Sequence, residues 1–156
     1  MERHGDLAFE PITHTYYVND REVPSVTQIL EDVGIIDYSY IPSATREMAL
    51  ERGRIVHDST AMDDLEPGAF EFDRAIVPYV NAWKRFKADS GFVIMERGHH
   101  GLMVEIRMYH HQHGYAGTLD RMGMIGQHKI MLDLKTNQAP EWTALQLAAY
   151  AAFFTE

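Results

Sequence analysis

Two carboxylates and a lysine lie close together in the second half of the chain. Asp120 ends the segment GTLD, and Asp133 and Lys135 follow in MLDLKT, which gives the spacing D-x12-D-x-K. Charged groups of both signs contribute little to a hydrophobic core. Carboxylates are, however, the ligands that Mg²⁺ and Mn²⁺ prefer, and a lysine ammonium can contact a phosphate. The pattern therefore indicates a divalent metal held against a phosphate, if the fold brings the three side chains together.

A β-hairpin would position two of these residues. Side chains alternate over residues 115–124 and 129–136, which indicates two strands, and Gly126-Gln127 suits the tight turn between them. With that two-residue turn, Asp120 lies directly opposite Asp133. Directly opposed residues share a face of the sheet, with their Cβ atoms about 4.5–5.5 Å apart.

The preceding strand offers a third carboxylate. Residues 102–109 also alternate, and a turn at Gln112-His113 would place Glu105 opposite Asp120. Carboxylates opposite one another destabilise a sheet and raise one another's pKa unless a cation lies between them. The simpler alternative is an acidic, solvent-facing side of the sheet on which Lys135 pairs with an aspartate. The coincidence of three carboxylates on one face favours the metal site.

A helix that Ser43 can cap brings further candidates. Gly53 and His57 are four residues apart and lie on one side of it, and Arg54 is on the same helix. Glycine costs a helix about 1 kcal/mol relative to alanine, so it usually reflects the close approach of another group. The pair is either a packing glycine with a satisfied histidine, or it brings the backbone near the site while His57 supplies a ligand or phosphate contact.

The last helix is predicted to begin at Pro140, a good first helical residue. Its sheet-facing residues are predicted to be Leu145, Ala148, Ala149 and Phe153. Gln146 and Tyr150 are four residues apart, so their polar ends project together. They are either simply displayed on the helix or reach back over Lys135 and the phosphate. In the predicted register, Thr118 lies opposite Lys135.

The first 91 residues are predicted to contain a hairpin and three helices. Residues 9–18 with the Asn19-Asp20 turn predict a short hairpin, and a capping box of Ser25 and Gln28 begins the first helix. The third helix is predicted over residues 70–90. Its apolar stripe, assigned to the core, is Ile76, Val77, Val80, Trp83 and Phe86. Its basic end either complements the helix C-terminus or contacts DNA.

Composition limits the classes of protein. The 156 residues, 46% of them hydrophobic, predict one folded domain, with the hairpin and three helices in 1–91 and the sheet and last helix in 92–156. No apolar run approaches about 18 residues and the start does not resemble a signal peptide, which predicts no membrane partner. The absence of cysteine excludes disulfides and thiol nucleophiles, and it is compatible with a cytoplasmic location.

The net charge of −9 is unusual for a protein that binds nucleic acid. Its distribution reduces the difficulty, because residues 1–45 hold eight acids against two bases, whereas residues 46–135 hold thirteen against twelve. A bound cation would offset the charge of the predicted ligands. We therefore expect weak non-specific DNA binding and a dependence on added metal.

Histidines form a second group of candidate ligands. They are His99, His100, His110, His111 and His113. The last three fall at the predicted tip of the hairpin before Tyr115, which is expected to be exposed to solvent. Alternation sends His111 and His113 to one side and His110 to the other. Adventitious metal binding explains these histidines better than a separate zinc site.

The motifs, taken in order, resemble those of the PD-(D/E)XK nuclease superfamily, nearest to its RecB-like and phage exonuclease-like members. The order is GYAGTLDRMG, IMLDLKT and QLAAY, and the upstream stretches YYVNDREVPSVTQIL and RGRIVH are also similar to the phage-type nucleases. The resemblance implies an α/β (α+β) fold with a restriction-endonuclease-like core, a mixed central sheet flanked by helices. It also implies hydrolysis of DNA phosphodiester bonds with Mg²⁺ or Mn²⁺, in a bacterial or phage-infected cell.

The resemblance further implies individual roles. Asp120 and Asp133 would bind the metal together with the carbonyl of Leu134, and Lys135 would be the catalytic lysine. Glu105 would be the upstream acid and His57 the histidine of a G-x-x-x-H helix. The residues expected to support the lysine or contact DNA are Gln146, Tyr150, Thr118 and Arg54.

Two functions therefore stand. The preferred one is a DNA nuclease, expected to be an exonuclease of phage-type recombination, repair or DNA processing. The alternative is a DNA-binding or structural module that keeps the fold without turnover. The presence of Asp120, Asp133 and Lys135 favours the nuclease. Relatives usually continue with further strands beyond the QLAAY helix, which leaves open a shortened chain, a minimal enzyme, or a fold completed by a partner protein or a homo-oligomer.

Overall fold

The computed structural model describes residues 2–4, 6–98 and 101–155, with side chains from residue 6 onward. Over these residues the chain forms eight strands and four helices. In chain order they are β1 (Glu2–His4), β2 (Leu7–Glu10), β3 (Thr15–Val18), β4 (Arg21–Val23), α1 (Val26–Asp32), α2 (Ser43–Leu65), α3 (Val77–Ser90), β5 (Val93–Ile94), β6 (Val104–His110), β7 (Tyr115–Ile125), β8 (His128–Leu132) and α4 (Thr143–Ala152). The mixture of helices and antiparallel strands confirms the α+β class.

The chain divides into two compact units. Unit 1 consists of Met1–Asp37, Ile106–Leu119 and Pro140–Glu156, and unit 2 of Tyr38–Glu105 and Asp120–Ala139. Each unit is assembled from segments that are distant in sequence. The assignment of residues 1–156 to a single domain stays a prediction. Within the described part of the chain, no helix combines the length and apolar character needed to cross a membrane.

Unit 1 contains an antiparallel sheet in the order β1-β2-β3-β4. The predicted hairpin segment, residues 9–18, contains most of β2 and all of β3, and the Asn19-Asp20 turn joins β3 to β4. The turn at Asn19-Asp20 is also confirmed, and both residues adopt the positive φ (50° and 60°) that a two-residue hairpin turn favours. The capping box is confirmed as well, since the Gln28 N–H donates to Ser25 Oγ at 3.1 Å and the Ser25 N–H donates to Gln28 Oε1 at 2.7 Å.

Helix α4, also in unit 1, differs from its prediction in start and in orientation. It begins at Thr143 rather than Pro140, and its buried residues are Thr143, Gln146 and Tyr150. Leu145, predicted to face the sheet, is exposed. The reason lies at Gly117, where a Cβ would come within 2.5 Å of the Tyr150 ring. The missing side chain makes room for the large ring, and burying an aromatic residue removes more apolar surface from water than burying leucine.

The helices of unit 2 follow the predicted pattern only in part. Helix α3 begins at Val77 instead of residue 70, and it ends before Gly91, whose φ of 68° is the usual left-handed conformation at a helix end. Of the predicted stripe, Ile76, Val80 and Trp83 are buried, whereas Val77 and Phe86 are exposed. Ser43 is the first residue of α2 and not its cap. A Cβ added at Gly53 would have no described atom within 4 Å outside its own helix, so no close approach explains that glycine.

The second sheet has the order β5-β7-β6, and β8 also pairs with β7. Ile125 and His128 flank the Gly126-Gln127 turn, and pairing continues to Arg121 opposite Leu132, which is the predicted register. The predicted length of β8 was wrong, because the strand ends at Leu132 and not at Thr136. The segment with Asp133 and Lys135 therefore follows the last paired residue. The connection from β6 to β7 is a four-residue turn, 111–114, centred on the predicted Gln112-His113.

Candidate metal centre

Three side chains of unit 2 converge on one point. Among the described residues, His57, Glu105 and Asp120 form the one group of at least three histidine or acidic residues with a ligand atom each within 4.8 Å of the others. His57 Nδ1 is 3.3 Å from Asp120 Oδ1 and 3.8 Å from Glu105 Oε1. Asp120 is buried, whereas His57 and Glu105 are partly exposed. The group is thus anchored on one side and accessible to solvent on the other.

The three residues come from three elements. His57 lies in the second half of α2, Glu105 is the second residue of β6, and Asp120 is near the middle of β7. Convergence of Glu105 and Asp120 agrees with the predicted register of the β6–β7 hairpin. Glu105 has a φ of 48°, which is uncommon for a residue other than glycine.

The backbone of Leu134 connects two members of the group. Its N–H donates to Asp120 Oδ2 at 2.5 Å, and its carbonyl oxygen is 2.9 Å from His57 Nε2. A carbonyl oxygen only accepts, so Nε2 must carry the proton of this hydrogen bond. Nδ1, which faces the two carboxylates, is then the nitrogen that can bind an ion once it is deprotonated. The Leu134 carbonyl, expected beside the metal, here orients the histidine.

Asp133 and Lys135 form an ion pair with each other next to this group. Burial, followed by the charge of Asp120, raises the pKa of Asp133 to about 6, although the Lys135 ammonium acts in the opposite direction. Asp133 is not among the three converging ligands, because β8 ends before it. The structure therefore places a histidine where the sequence predicted a third carboxylate.

The carboxylates also determine the charge of the histidine. Burial, the largest effect, acts to lower the pKa of His57. The hydrogen bonds and negative charges of Asp120 and Glu105 together outweigh burial and raise this pKa to about 10. Without a bound cation, His57 is consequently an imidazolium at neutral pH and neutralises part of the acidic charge beside it.

A buried arginine behind the group was missed by the sequence reasoning. Arg121 Nη1 donates to Glu105 Oε1 at 3.0 Å, Nε donates to Asp64 Oδ2 at 2.7 Å, and Nη2 donates to Thr60 Oγ1 at 3.1 Å. A signal for this contact exists in α2. His57, Thr60 and Asp64 follow one another at spacings of three and four, which places them on one face of the helix.

The other predicted site residues have partners elsewhere. Arg54 pairs with Glu51 and Asp58 on an exposed part of α2. In unit 1, Thr118 Oγ1 lies 2.7 Å from the Tyr16 hydroxyl.

The remaining pair of predicted supporting residues is also in unit 1. Gln146 Nε2 donates to the Tyr150 hydroxyl at 2.9 Å, and both side chains are buried. Their polar ends do project together, as the spacing predicted, but they bond to each other in the interior. They are not displayed on the surface of the helix.

The basic end of α3 and the histidine-rich stretch lie outside the converging group. Lys84 pairs with Asp63 and Lys87 with Asp64, so two of the three basic residues of α3 have acidic partners. His110 is buried, contrary to its prediction as a solvent-exposed tip residue. Its ring packs on aromatic neighbours, namely His113, Tyr115 and Phe153. His99 and His100 lie outside the described residues.

Comparison with known proteins adds no relative, since no family model, curated protein or solved structure matches this chain.

Proposed function

We propose that this protein is a metal-dependent deoxyribonuclease that hydrolyses phosphodiester bonds at the centre formed by His57, Glu105 and Asp120. The observation that carries the proposal is the convergence of these three ligands within 4.8 Å, beside the Asp133–Lys135 ion pair. The restriction-endonuclease-like core that the motifs imply belongs to the proposal. So does the narrower function, an exonuclease of phage-type recombination, repair or DNA processing.

The ligand set fits Mg²⁺ or Mn²⁺. Glu105 and Asp120 supply carboxylate oxygens, the donors that both ions prefer, and His57 Nδ1 adds one nitrogen. Two carboxylates held this close gain from a shared cation. When bound, the ion would polarise a phosphoryl oxygen and stabilise the negative charge that develops on the phosphate.

The neighbouring pair supplies complementary groups. The Lys135 ammonium is partly exposed and can contact a phosphoryl oxygen, where it stabilises developing negative charge. Asp133, with a pKa of about 6, is mostly ionised at neutral pH and can take the proton that an attacking water loses. The water oxygen bonds to phosphorus as the bond from phosphorus to the 3′ oxygen breaks. The leaving 3′ oxygen takes a proton from solvent, and the products are a 5′-phosphate and a 3′-hydroxyl.

The alternative is a DNA-binding or structural module that keeps the fold without turnover. His57 Nδ1 lies 3.3 Å from Asp120 Oδ1 and 3.8 Å from Glu105 Oε1, so an imidazolium at this position can compensate both carboxylates. Such a group can stabilise a fold by itself. The two functions differ in whether a divalent ion enters the site and supports cleavage.

The deciding experiment uses end-labelled linear DNA with Mn²⁺, with Mg²⁺ and with a chelator. The variants are Lys135→Ala and Asp120→Asn, and the matched controls are Lys129→Ala, on an exposed lysine of β8, and Asp89→Asn, on an exposed aspartate of α3. We expect metal-dependent cleavage that falls by at least about 100-fold in both site variants and persists in both controls. A circular substrate distinguishes exonuclease from endonuclease cleavage.

Two results would overturn parts of the proposal. Cleavage at the parental rate in both site variants would refute the proposed centre as the place of the reaction. DNA binding by the parent without cleavage under either metal would support the binding module.

A further inference from the structure

We infer that Arg121 is a positioning residue, which holds the Glu105 carboxylate in the geometry that ion binding needs. The inference rests on the proposed metal centre and assigns a task to a residue outside the ligand set. Arg121 has no exposed surface, and all three nitrogens of its guanidinium have acceptors. A buried charge is tolerated when it is paired and fully hydrogen-bonded.

The far side of the guanidinium is rigidly anchored. Asp64, which accepts from Arg121 Nε, is itself buried and receives the Trp83 Nε1–H at 2.9–3.0 Å as well as an ion pair from Lys87. Thr60 accepts from Nη2 and donates to the backbone of α2. A planar guanidinium fixed at two nitrogens leaves the third no freedom to turn. Nη1 therefore stays directed at its acceptors.

Those acceptors are at the metal centre. Arg121 Nη1 donates to Glu105 Oε1 at 3.0 Å and to the backbone oxygen of Asp120 at 2.7 Å. One nitrogen thus contacts two of the three ligand-bearing residues.

Glu105 is the ligand that most needs such support. Its side chain is 28% exposed, and the one cationic member of the group, His57, has its Nδ1 3.8 Å away, beyond normal hydrogen-bond distance. Its backbone is in the left-handed region, which persists only where the surroundings enforce it. The Arg121 bond is the short contact that directs this carboxylate towards His57 and Asp120. Loss of the bond would let the side chain turn into solvent.

A double-mutant cycle distinguishes a positioning role of Arg121 from a purely structural role. Arg121→Lys keeps a positive charge for Asp64, but a single ammonium cannot reproduce the branched contacts. Glu105→Gln removes the charge that Arg121 positions. The control is Lys87→Met. This substitution removes another partner of Asp64, the Lys87 ammonium, and leaves every contact of Glu105 unchanged. The measurements are the Mn²⁺ dissociation constant by titration calorimetry and the melting temperature of each chelator-treated protein.

We expect Arg121→Lys to weaken Mn²⁺ binding by about 10- to 100-fold, the usual effect of removing a partner of a metal ligand. Lys87→Met should leave the affinity within about twofold of the parent even if it lowers the melting temperature similarly. In the Glu105→Gln background, Arg121→Lys should cause little additional loss, because its target is already gone.

The inference is wrong if Arg121→Lys binds Mn²⁺ like the parent, if Lys87→Met loses as much affinity, or if the losses of the two single variants multiply in the double variant. Failure of the proposed function would give a different result. The parent itself would then show no Mn²⁺ binding and no metal-dependent cleavage, and both the metal centre and the role of Arg121 would be refuted.

Discussion

Raising the pH should destabilise the protein when no divalent ion is present, and His57 should be responsible. The folded structure raises the pKa of His57 to about 10, whereas an unfolded histidine titrates near 6.5. A raised pKa means that the folded state binds the proton more tightly than the unfolded chain does. The stabilisation is therefore complete below about pH 6.5 and is lost as the pH rises through 10.

The size of the effect follows from the two pKa values. Between pH 6.5 and pH 9, linkage predicts a loss of about 3 kcal/mol in the free energy of unfolding. This is an upper value, because the His57 side chain keeps 26% of its exposure and solvent weakens its interaction with the carboxylates. Even half of it is a large fraction of the 5–15 kcal/mol that typically stabilises a folded protein.

The assay is urea denaturation at pH 6.5, 7.5, 8.5 and 9 in the presence of a chelator, with the parent and His57→Gln side by side. Glutamine does not titrate, so the difference between the two proteins isolates the contribution of His57. We expect this difference to shrink steadily with rising pH. Parallel pH profiles for the two proteins would refute the assigned charge state of the centre.

Three further predictions concern other parts of the molecule. Mn²⁺ binding at pH 7.5 should release about one proton, because a ligating imidazole must be neutral; calorimetry in buffers of different ionisation enthalpy would show no buffer dependence if His57 is already neutral. The parent should gain stability as the pH falls from 6 towards 4, because the raised pKa of Asp133 makes the folded state bind this proton more tightly than the unfolded chain does. Asp133→Asn should remove this gain, and equal pH profiles for the two proteins would contradict the prediction. Gly117→Ala should destabilise by about 1–3 kcal/mol because its Cβ would meet the Tyr150 ring, whereas Gly53→Ala, in open space on α2, should stabilise by up to about 1 kcal/mol; thermal melts that rank the two the other way would contradict the packing described for them.

Local rules predicted the parts of the fold that depend on neighbours in sequence. The turn at Gly126-Gln127 determined the register of β7 and β8, because a two-residue loop allows the flanking strands only one register. The capping box of Ser25 and Gln28 likewise begins α1 where it was expected. Neither feature depends on the rest of the chain.

Features that depend on distant packing were not predictable. The end of β8 depends on Asp120, whose carboxylate takes the Leu134 N–H. The orientation of α4 depends on the space left at Gly117. For the site, the sequence identified His57, Glu105 and Asp120 as candidates but ranked Asp133 as a metal ligand above His57. Arg121 was overlooked because its partner Asp64 is 57 residues away in the chain.

Helix α2 carries His57, Thr60 and Asp64 on a single face, and each of them bonds to the strands that bear Glu105, Asp120 or Arg121. The centre therefore forms only when α2 packs against these strands, and no local segment can form it in advance. Assembly of the site and consolidation of unit 2 are thus one cooperative event. An ion that binds there would stabilise the docked state of α2. It would thereby slow the opening of the helix and protect its amides from hydrogen exchange.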